Sequence, residues 1–292
     1  MESEADKNVA SASSDAAAFC ADLVRSHDFE RYAATLFVPA AERRALLALY
    51  AFNVEIVRVR DLVTQPLPGE IRLQWWTDML SGQAHGGVEG NPVAAELLLA
   101  IHDFNLPAER LSRLVEEHRL DLYGDSMPTM AALQGYLTDT CSVLFAVAAQ
   151  IVAPSSATDH LARHAGLALG LTKVIARLPG DTSRHRLFLP LELLESDGSG
   201  VEEVFACKDT PALRMALGRV RDEAGQHLAT ASSLLADVSP PARVAFLPLA
   251  LVRRDLARLS RADRNPFLPQ PESRLRTLWT LWRASRSREF AR

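Results

Sequence analysis

Lysine is nearly missing from this 292-residue chain: only Lys7, Lys173 and Lys208 stand among its 32 basic residues, and the rest are arginine. That bias reads as a compositional habit of the source. Cysteine is scarce as well. Cys20, Cys141 and Cys207 are far apart and form no Cys-x-x-Cys, which weakens a disulfide or zinc reading and fits a reducing compartment. There is no excess of positive charge: the net charge is −4 and the pI about 6.1, so a nucleic acid is not expected as a partner. No apolar run reaches the ~18 residues expected of a membrane span. No stretch alternates as a strand does, and no Gly-x-Ser-x-Gly, P-loop or dinucleotide fingerprint occurs. Residues 1–15 are acidic and rich in Ser and Ala. They lack the basic start and apolar stretch of a secretory signal, and the arginine-rich, acid-poor character of a transit peptide. They are expected as a disordered tail, with residues 16–292 as one domain in the cytoplasm.

What is present is helical periodicity over a chain that is 48% hydrophobic, enough for a buried core. From Ala40 to Val63, Leu46, Leu47, Leu49, Tyr50, Phe52, Val54, Ile56 and Val57 give a broad apolar face, opened by Pro39 and closed before Pro66 and Pro68. Further helices are predicted over 70–80, stopped near Gly82 and Gly86-Gly87, and over 92–104, 107–123 and 129–152. Another runs over 156–178, ended by Pro179-Gly180. A looser connection follows around Pro190 and Gly198-Ser199-Gly200. Thr210 is a good N-cap for a helix over 211–235. Helices over 240–260 and 273–290 follow, with breaks at Asn265-Pro266 and Pro269 to Pro271 between them. The fold class is all-α: a single helical bundle around a central cavity.

Several segments carry a resemblance when taken in order. They are Tyr32 to Pro39, Arg43-Arg44-Ala45 with Ala48 to Phe52, the helix through Val57 and Asp61, and Gly166 to Pro190 with its Leu187-Phe188-Leu189-Pro190. From Phe19 to Arg283 the chain resembles the squalene/phytoene synthases, which implies an isoprenoid-synthase-like bundle. In that family two Asp-x-x-x-Asp pairs hold magnesium on a prenyl diphosphate. Residues four apart share a helix face, so such a pair aims two carboxylates at one point. Magnesium takes oxygen ligands and neutralises the diphosphate leaving group.

Here the resemblance puts Val57 and Asp61 at the first pair, with Arg58 where many relatives carry a further acid. It puts Arg177 and Asp181 at the second, with Lys173 in place of an Asn. A unit positive charge ~4 Å from a cation costs ~4 kcal/mol at an effective dielectric near 20, so magnesium occupancy is expected to fall. Two uses of the bases stay open. Arg58 or Arg177 pairs with Asp61 or Asp181, or Arg58, Lys173 and Arg177 take a phosphate directly. No catalytic residue, metal ligand or cofactor is assigned; magnesium belongs only to the enzyme alternative.

The run Asn53-Val54-Glu55, then Val59-Arg60-Asp61, with Gln74-Trp75-Trp76, is similar to a branch of the family that has lost these acids. That branch includes the mitochondrial complex I assembly factor related to phytoene synthase. It implies a non-catalytic assembly or accessory factor whose partners are complex I subunits or assembly intermediates, placed peripherally at the inner face of a membrane. The alternatives are a divergent transferase using prenyl diphosphates, and an isoprenoid or lipid carrier.

Tyr32, Tyr50 and Asp121 are the candidates for lining the cavity, although Glu117, Asp121 and Asp125, spaced by four, read more simply as a solvated helix face. His160 and His164, also four apart, show no third metal ligand in the sequence. Cys141 reads as a small core residue. In the last helix Leu275, Leu278, Trp279 and Trp282 form an apolar stripe among Arg274, Arg276, Arg283, Arg286 and Arg288. Packing of that stripe on the bundle is the first expectation, and contact of 273–290 with an anionic membrane surface the second.

Overall fold

The computed structural model describes residues 4–83, 87–88, 90–196, 198, 200–261, 263–269 and 273–290. Gly86, Ser199 and Pro271 therefore lie outside the described residues. All regular structure among the described residues is helical. Where one domain over 16–292 was expected, the chain forms two compact units, Met1–Leu122 with Val147–Ser156, and Tyr123–Ala146 with Ala157–Arg292.

The first unit holds α1 (Glu4–His27), α2 (Phe29–Thr35), α3 (Ala40–Leu62), α4 (Pro66–Leu80), α5 (Pro92–Phe104) and α6 (Ala108–Glu117), then a 3-10 turn over Leu120–Leu122. α1 takes in residues 4–15, where a disordered tail was predicted; the sequence there contains alanine, the strongest helix former, at three positions and continues into Ala16, Ala17 and Ala18. Asp28 caps α2 by accepting from the Arg31 amide at 3.2 Å. Asn91 caps α5 by accepting from Val93 and Ala94 at 3.0 and 3.1 Å. α3 is the centre of this unit and packs against α1, α4 and α5. Its Leu49, Phe52 and Ile56 are almost fully buried, and Trp76 of α4 meets Phe52 edge-on with centroids 5.2 Å apart. α4 begins at Pro66 rather than near Glu70, because a first-turn proline loses no helix bond. The predicted helix over 107–123 ends instead at Glu117, and His118 starts the tighter turn that follows.

The second unit follows with α7 (Met130–Leu137), a π turn over Thr138–Ser142, and α8 (Val143–Val152), whose last residues belong to the first unit. Then come α9 (Asp159–Thr182), α10 (Leu191–Ser196), α11 (Val201–Phe205) and α12 (Pro211–Leu235). α13 (Pro240–Arg243), a 3-10 turn over Val244–Phe246, α14 (Leu249–Leu259) and α15 (Arg274–Ser285) complete it. Thr210 accepts from the Leu213 amide at 3.1 Å, so α12 starts where the cap signal placed it. α9 and α12 lie side by side, with α14 against both. Phe145 stacks on Phe246 at 5.7 Å in this core. α9 runs on through Pro179, at which it was predicted to stop; a proline removes one helix bond, and the surrounding buried residues hold the last turn together.

Met130–Val152 corrects another expectation. Taken as one stretch it is long and apolar enough to cross a membrane, with 23 residues and a mean hydropathy of 1.4. The polar residues of the π turn interrupt the apolar run without lowering that mean enough to exclude it. Because 61% of its most apolar window is buried inside the structure, it reads as a core helix.

Gly166 sets the approach of α9 to the π turn. A Cβ added there would overlap the Ser142 Cα and backbone N, while Ser142 Oγ donates to the Arg163 carbonyl at 2.9 Å. Gly166→Ala should lower unfolding free energy by ~1–3 kcal/mol in urea denaturation, although alanine is the better helix former. A variant as stable as the parent would show that the helices separate at no cost.

Candidate functional site

The two motif regions lie in different units. In the first unit, Arg43 ties the α2–α3 corner by donating to the carbonyls of Thr35 and Val38 at 3.1 and 2.8 Å. Tyr50 is buried beside this corner. The Arg31 guanidinium lies 5.4 Å from its ring centre, yet burial outweighs that cation and pushes the hydroxyl up to about 12. Tyr32 is half-buried with its ring 6.1 Å from Phe29.

Further along α3, Val57 and Arg58 are half-buried and Asp61 is exposed. The ion pair of Arg58 is with Glu55, at 4.0 Å, rather than with either motif acid. The expected pairing of acids by replaced bases is not what this helix builds.

The buried pairing falls one residue away. Arg60 Nη1 reaches Asp121 Oδ2 at 3.3 Å, and His118 Nδ1 lies 2.9 Å from the same oxygen. The side chains of Arg60, His118 and Asp121 are 10%, 7% and 3% exposed. Asp121 is thus no part of a solvated face. It turns inward because α6 stops at Glu117, so the spacing of four from Glu117 no longer keeps the two acids on one side. Arg60 and His118 were missed in the sequence, where nothing in the pattern marks either as the partner of Asp121.

In the second unit, Lys173, Arg177 and Asp181 share α9. Lys173 is half-buried, Arg177 exposed and Asp181 buried. Arg177 makes no ion pair among the described residues, so the expected pairing fails here too. The Asp181 carbonyl accepts from the amides of Arg184 and Arg186 at 3.0 and 2.9 Å, which turns the chain back after the helix.

The magnesium of the family needs paired carboxylates, and each motif helix supplies one. Among the described residues no group of three or more His, Cys, Asp or Glu side chains is arranged to hold a metal. Asp61 and Asp181 are the single acids kept at the two motif positions, where the family has pairs.

α9 and α12 bring a third histidine to the pair noted in the sequence. His164 Nδ1 lies 2.8 Å from His227 Nδ1, and His164 Nε2 lies 3.3 Å from His160 Nε2. The central ring spends its two nitrogens in opposite directions, so the three do not converge on one point. Burial, followed by His227, His160 and Arg163, lowers the His164 pKa. Burial also lowers that of His227; Glu223 Oε1 is 3.4 Å from its Nε2 but is shared with Gln134 at 2.8 Å, and offsets the effect only in part.

α15 turns its aromatic stripe outward. Thr277 and Leu281 are its buried residues, while Leu275, Trp279 and Trp282 are 79%, 58% and 38% exposed. Trp279 stacks on Trp282 at 4.9 Å, and the Arg286 guanidinium lies 4.2 Å from the Trp282 ring centre. The inner face is fixed by Asp255, which is buried and paired with Arg254 at 2.9 Å and Arg258 at 3.4 Å, while Arg254 donates to Thr277 Oγ1 at 3.1 Å. The packing expected for the stripe of Leu275, Leu278, Trp279 and Trp282 is made instead by Thr277 and Leu281, which lie outside it.

The family model described as squalene/phytoene synthase matches residues 24–283. The Mus musculus protein named NADH dehydrogenase (ubiquinone) complex I, assembly factor 6 is 29% identical over 252 residues, covering 86% of this chain and 76% of its own. The phytoene synthase of Thermus thermophilus is 25% identical over 207 residues, covering 69% of this chain and 68% of its own. The crystal structure of squalene synthase HpnC from Alicyclobacillus acidocaldarius superposes with a TM-score of 0.73 at 22% identity, over 88% of this chain and 96% of that one. At that identity the likeness shows the fold, which is the all-α isoprenoid-synthase fold expected from the sequence.

Two outcomes follow from this geometry. Asp121→Ala removes the buried carboxylate that Arg60 and His118 both reach, and should cost ~3–5 kcal/mol in chemical denaturation; a variant that unfolds with the parent midpoint would remove Asp121 from the stability of this unit. The histidines give a pH dependence. Their folded pKa values lie below the ordinary 6.5, so the unfolded chain binds more protons as pH falls through 6.5. Stability is complete above that value and declines below it. Melting at about pH 7.5 and about pH 5.5 should show a smaller fall for His164→Gln/His227→Gln than for the parent. Equal falls would mean that other groups carry the dependence.

Proposed function

The chain belongs to the squalene/phytoene synthase family, and from that premise we propose that it is a non-catalytic member acting as an assembly or accessory factor for the respiratory NADH dehydrogenase, complex I. The observation that carries this reading is the pair of motif positions without acids, Val57 and Arg177, in a chain similar over 86% of its length to a protein named as a complex I assembly factor. Prenyl coupling needs metal to stabilise the departing diphosphate, and one carboxylate per helix does not assemble that site. Partners would be complex I subunits or assembly intermediates.

The place of action would be a membrane surface, reached peripherally. The exposed Trp279 and Trp282, ringed by Arg274, Arg276 and Arg283 on α15 and by Arg286 and Arg288 just beyond it, suit the headgroup region of an anionic bilayer. The partial likeness to a phytoene synthase favours one other reading, a divergent transferase on prenyl diphosphates with magnesium. An isoprenoid or lipid carrier needs the cavity without the metal.

Gene deletion in the source organism, with restoration by plasmid, tests the proposal. Loss of the chain should lower the amount of assembled NADH dehydrogenase on native gels, and the parent should restore it. Trp279→Ser/Trp282→Ser should fold and restore less. Normal assembly without the chain would sink the assembly role, and full restoration by the double variant would sink the role of α15. Squalene, phytoene or presqualene diphosphate formed from farnesyl or geranylgeranyl diphosphate with magnesium, and lost in Asp61→Ala, would establish the transferase instead.

A further inference from the structure

The second unit contains a pocket of about 200 Å³ between α9, α12 and the segment after α14. Ile175 and Leu217 give it an apolar side, and Arg214, Arg221, Arg261 and Arg264 line it; no carboxylate stands among its lining residues. Lys173, Arg177 and Asp181 do not line it either, so it is separate from the second motif.

The four guanidinium groups are not equally engaged. Arg214 is clamped by Asp209, with Nε and Nη2 donating at 2.7 and 2.6 Å, and Nη2 also donates to the Arg264 carbonyl at 3.1 Å. This fixes the pocket wall and the backbone of Arg264 together. Arg221 pairs with its neighbour Asp222, and Arg261 with Asp263, each at 2.9 Å. Asp222 and Asp263 are 66% and 70% exposed. Such surface pairs contribute ~0–1 kcal/mol and do not hold the arginines away from a more highly charged ligand.

Arg264 differs from the other three. It is half-buried, its Nε is out of solvent with no hydrogen-bond acceptor, and it makes no ion pair among the described residues. Burial comes first, and the positive fields of Arg258 and Arg214 second, in lowering its pKa. A cation withdrawn from water beside other cations is costly unless an anion offsets it. Arginine forks match the oxygens of a phosphate, and the apolar wall of Ile175 and Leu217 strengthens any such contact by lowering the local dielectric.

We propose that this pocket binds a phosphate-bearing anion, with Arg264 as its main contact and Arg214, Arg221 and Arg261 around it. The proposal is independent of the assembly role. The shared chemistry is a phosphate group, supplied by a dissolved diphosphate or by a phospholipid headgroup.

The test uses the full chain and two probes, inorganic pyrophosphate by titration calorimetry and phosphatidylglycerol vesicles by co-sedimentation, with Trp279→Ser/Trp282→Ser carried by parent and variants in the vesicle arm so that α15 does not contribute. The parent should bind at least one probe saturably. Arg264→Gln should weaken that binding by roughly tenfold or more, as expected for loss of charged hydrogen bonds. Arg261→Gln, a change at an exposed side chain that leaves folding intact, should weaken it to a smaller extent. Lys173→Gln/Arg177→Gln should bind as the parent does. Binding of pyrophosphate identifies a dissolved anion, and binding of vesicles alone, lost in Arg264→Gln, identifies a headgroup. Failure of the parent to bind either probe overturns the proposal. So does binding that survives both pocket variants, or binding lost in the Lys173/Arg177 variant.

Discussion

Asp121 is 3% exposed, and Arg60 from α3 and His118 at the end of α6 both reach one of its oxygens. A carboxylate withdrawn this far from water is tolerated only with a cation and hydrogen bonds in place. The arrangement of the first unit follows from that demand. α6 must stop at Glu117 so that the 3-10 turn can swing Asp121 inward, and α3 must present Arg60 on its inner side. Asp61, about 100° further round the same helix, is then turned to solvent. The surviving acid of the first motif and the base that holds the unit together are adjacent residues with opposite duties.

The replaced motif residues behave differently from Arg60. Arg58 and Arg177 were candidates for neutralising Asp61 and Asp181 inside the protein, yet Arg58 leans on Glu55 and Arg177 is exposed. Neither closes its motif as an internal ion pair. A buried guanidinium would need a partner, whereas a solvated one needs none, so substitutions toward arginine at these positions carry little folding cost. That low cost makes loss of the acids compatible with keeping the fold. The fold alone therefore does not specify the chemistry, and the residues of the site must.

Much of the helical framework was legible before any coordinates. Thr210-Pro211 puts a capping side chain directly before a proline and α12 starts there, and α5 fills the predicted span 92–104. Boundaries failed in two ways: α9 passes through Pro179, where tertiary packing outweighs the local signal, and α4 begins at Pro66 itself, because a first-turn proline loses no helix bond. The apolar character of Met130–Val152 was visible, but not the π turn inside it, because the close approach of Gly166 to Ser142 joins residues distant in sequence. The candidate site was legible at its motif positions and illegible in its electrostatics. Periodicity reports which side of a helix an arginine occupies only when the neighbouring helix is known, so Arg60, His118, His227 and Arg264 gave no signal of their own.

The same limit explains α15. Its apolar stripe runs through Leu275, Trp279 and Trp282, which hydrophobicity favours burying, yet Thr277 and Leu281 face inward. The choice is made from α14. Asp255 is buried and binds Arg254 and Arg258, and Arg254 then reaches Thr277. Rotating α15 to bury the tryptophans would take Thr277 away from Arg254 and expose Leu281. Arg253 adds a second restraint by pairing with Glu289 just beyond the helix, at 2.9 Å. A small polar residue thus wins the inward position over two indoles because a buried carboxylate on the next helix orders the guanidinium that meets it. The tryptophans are left outside, stacked on each other and covered on one side by Arg286.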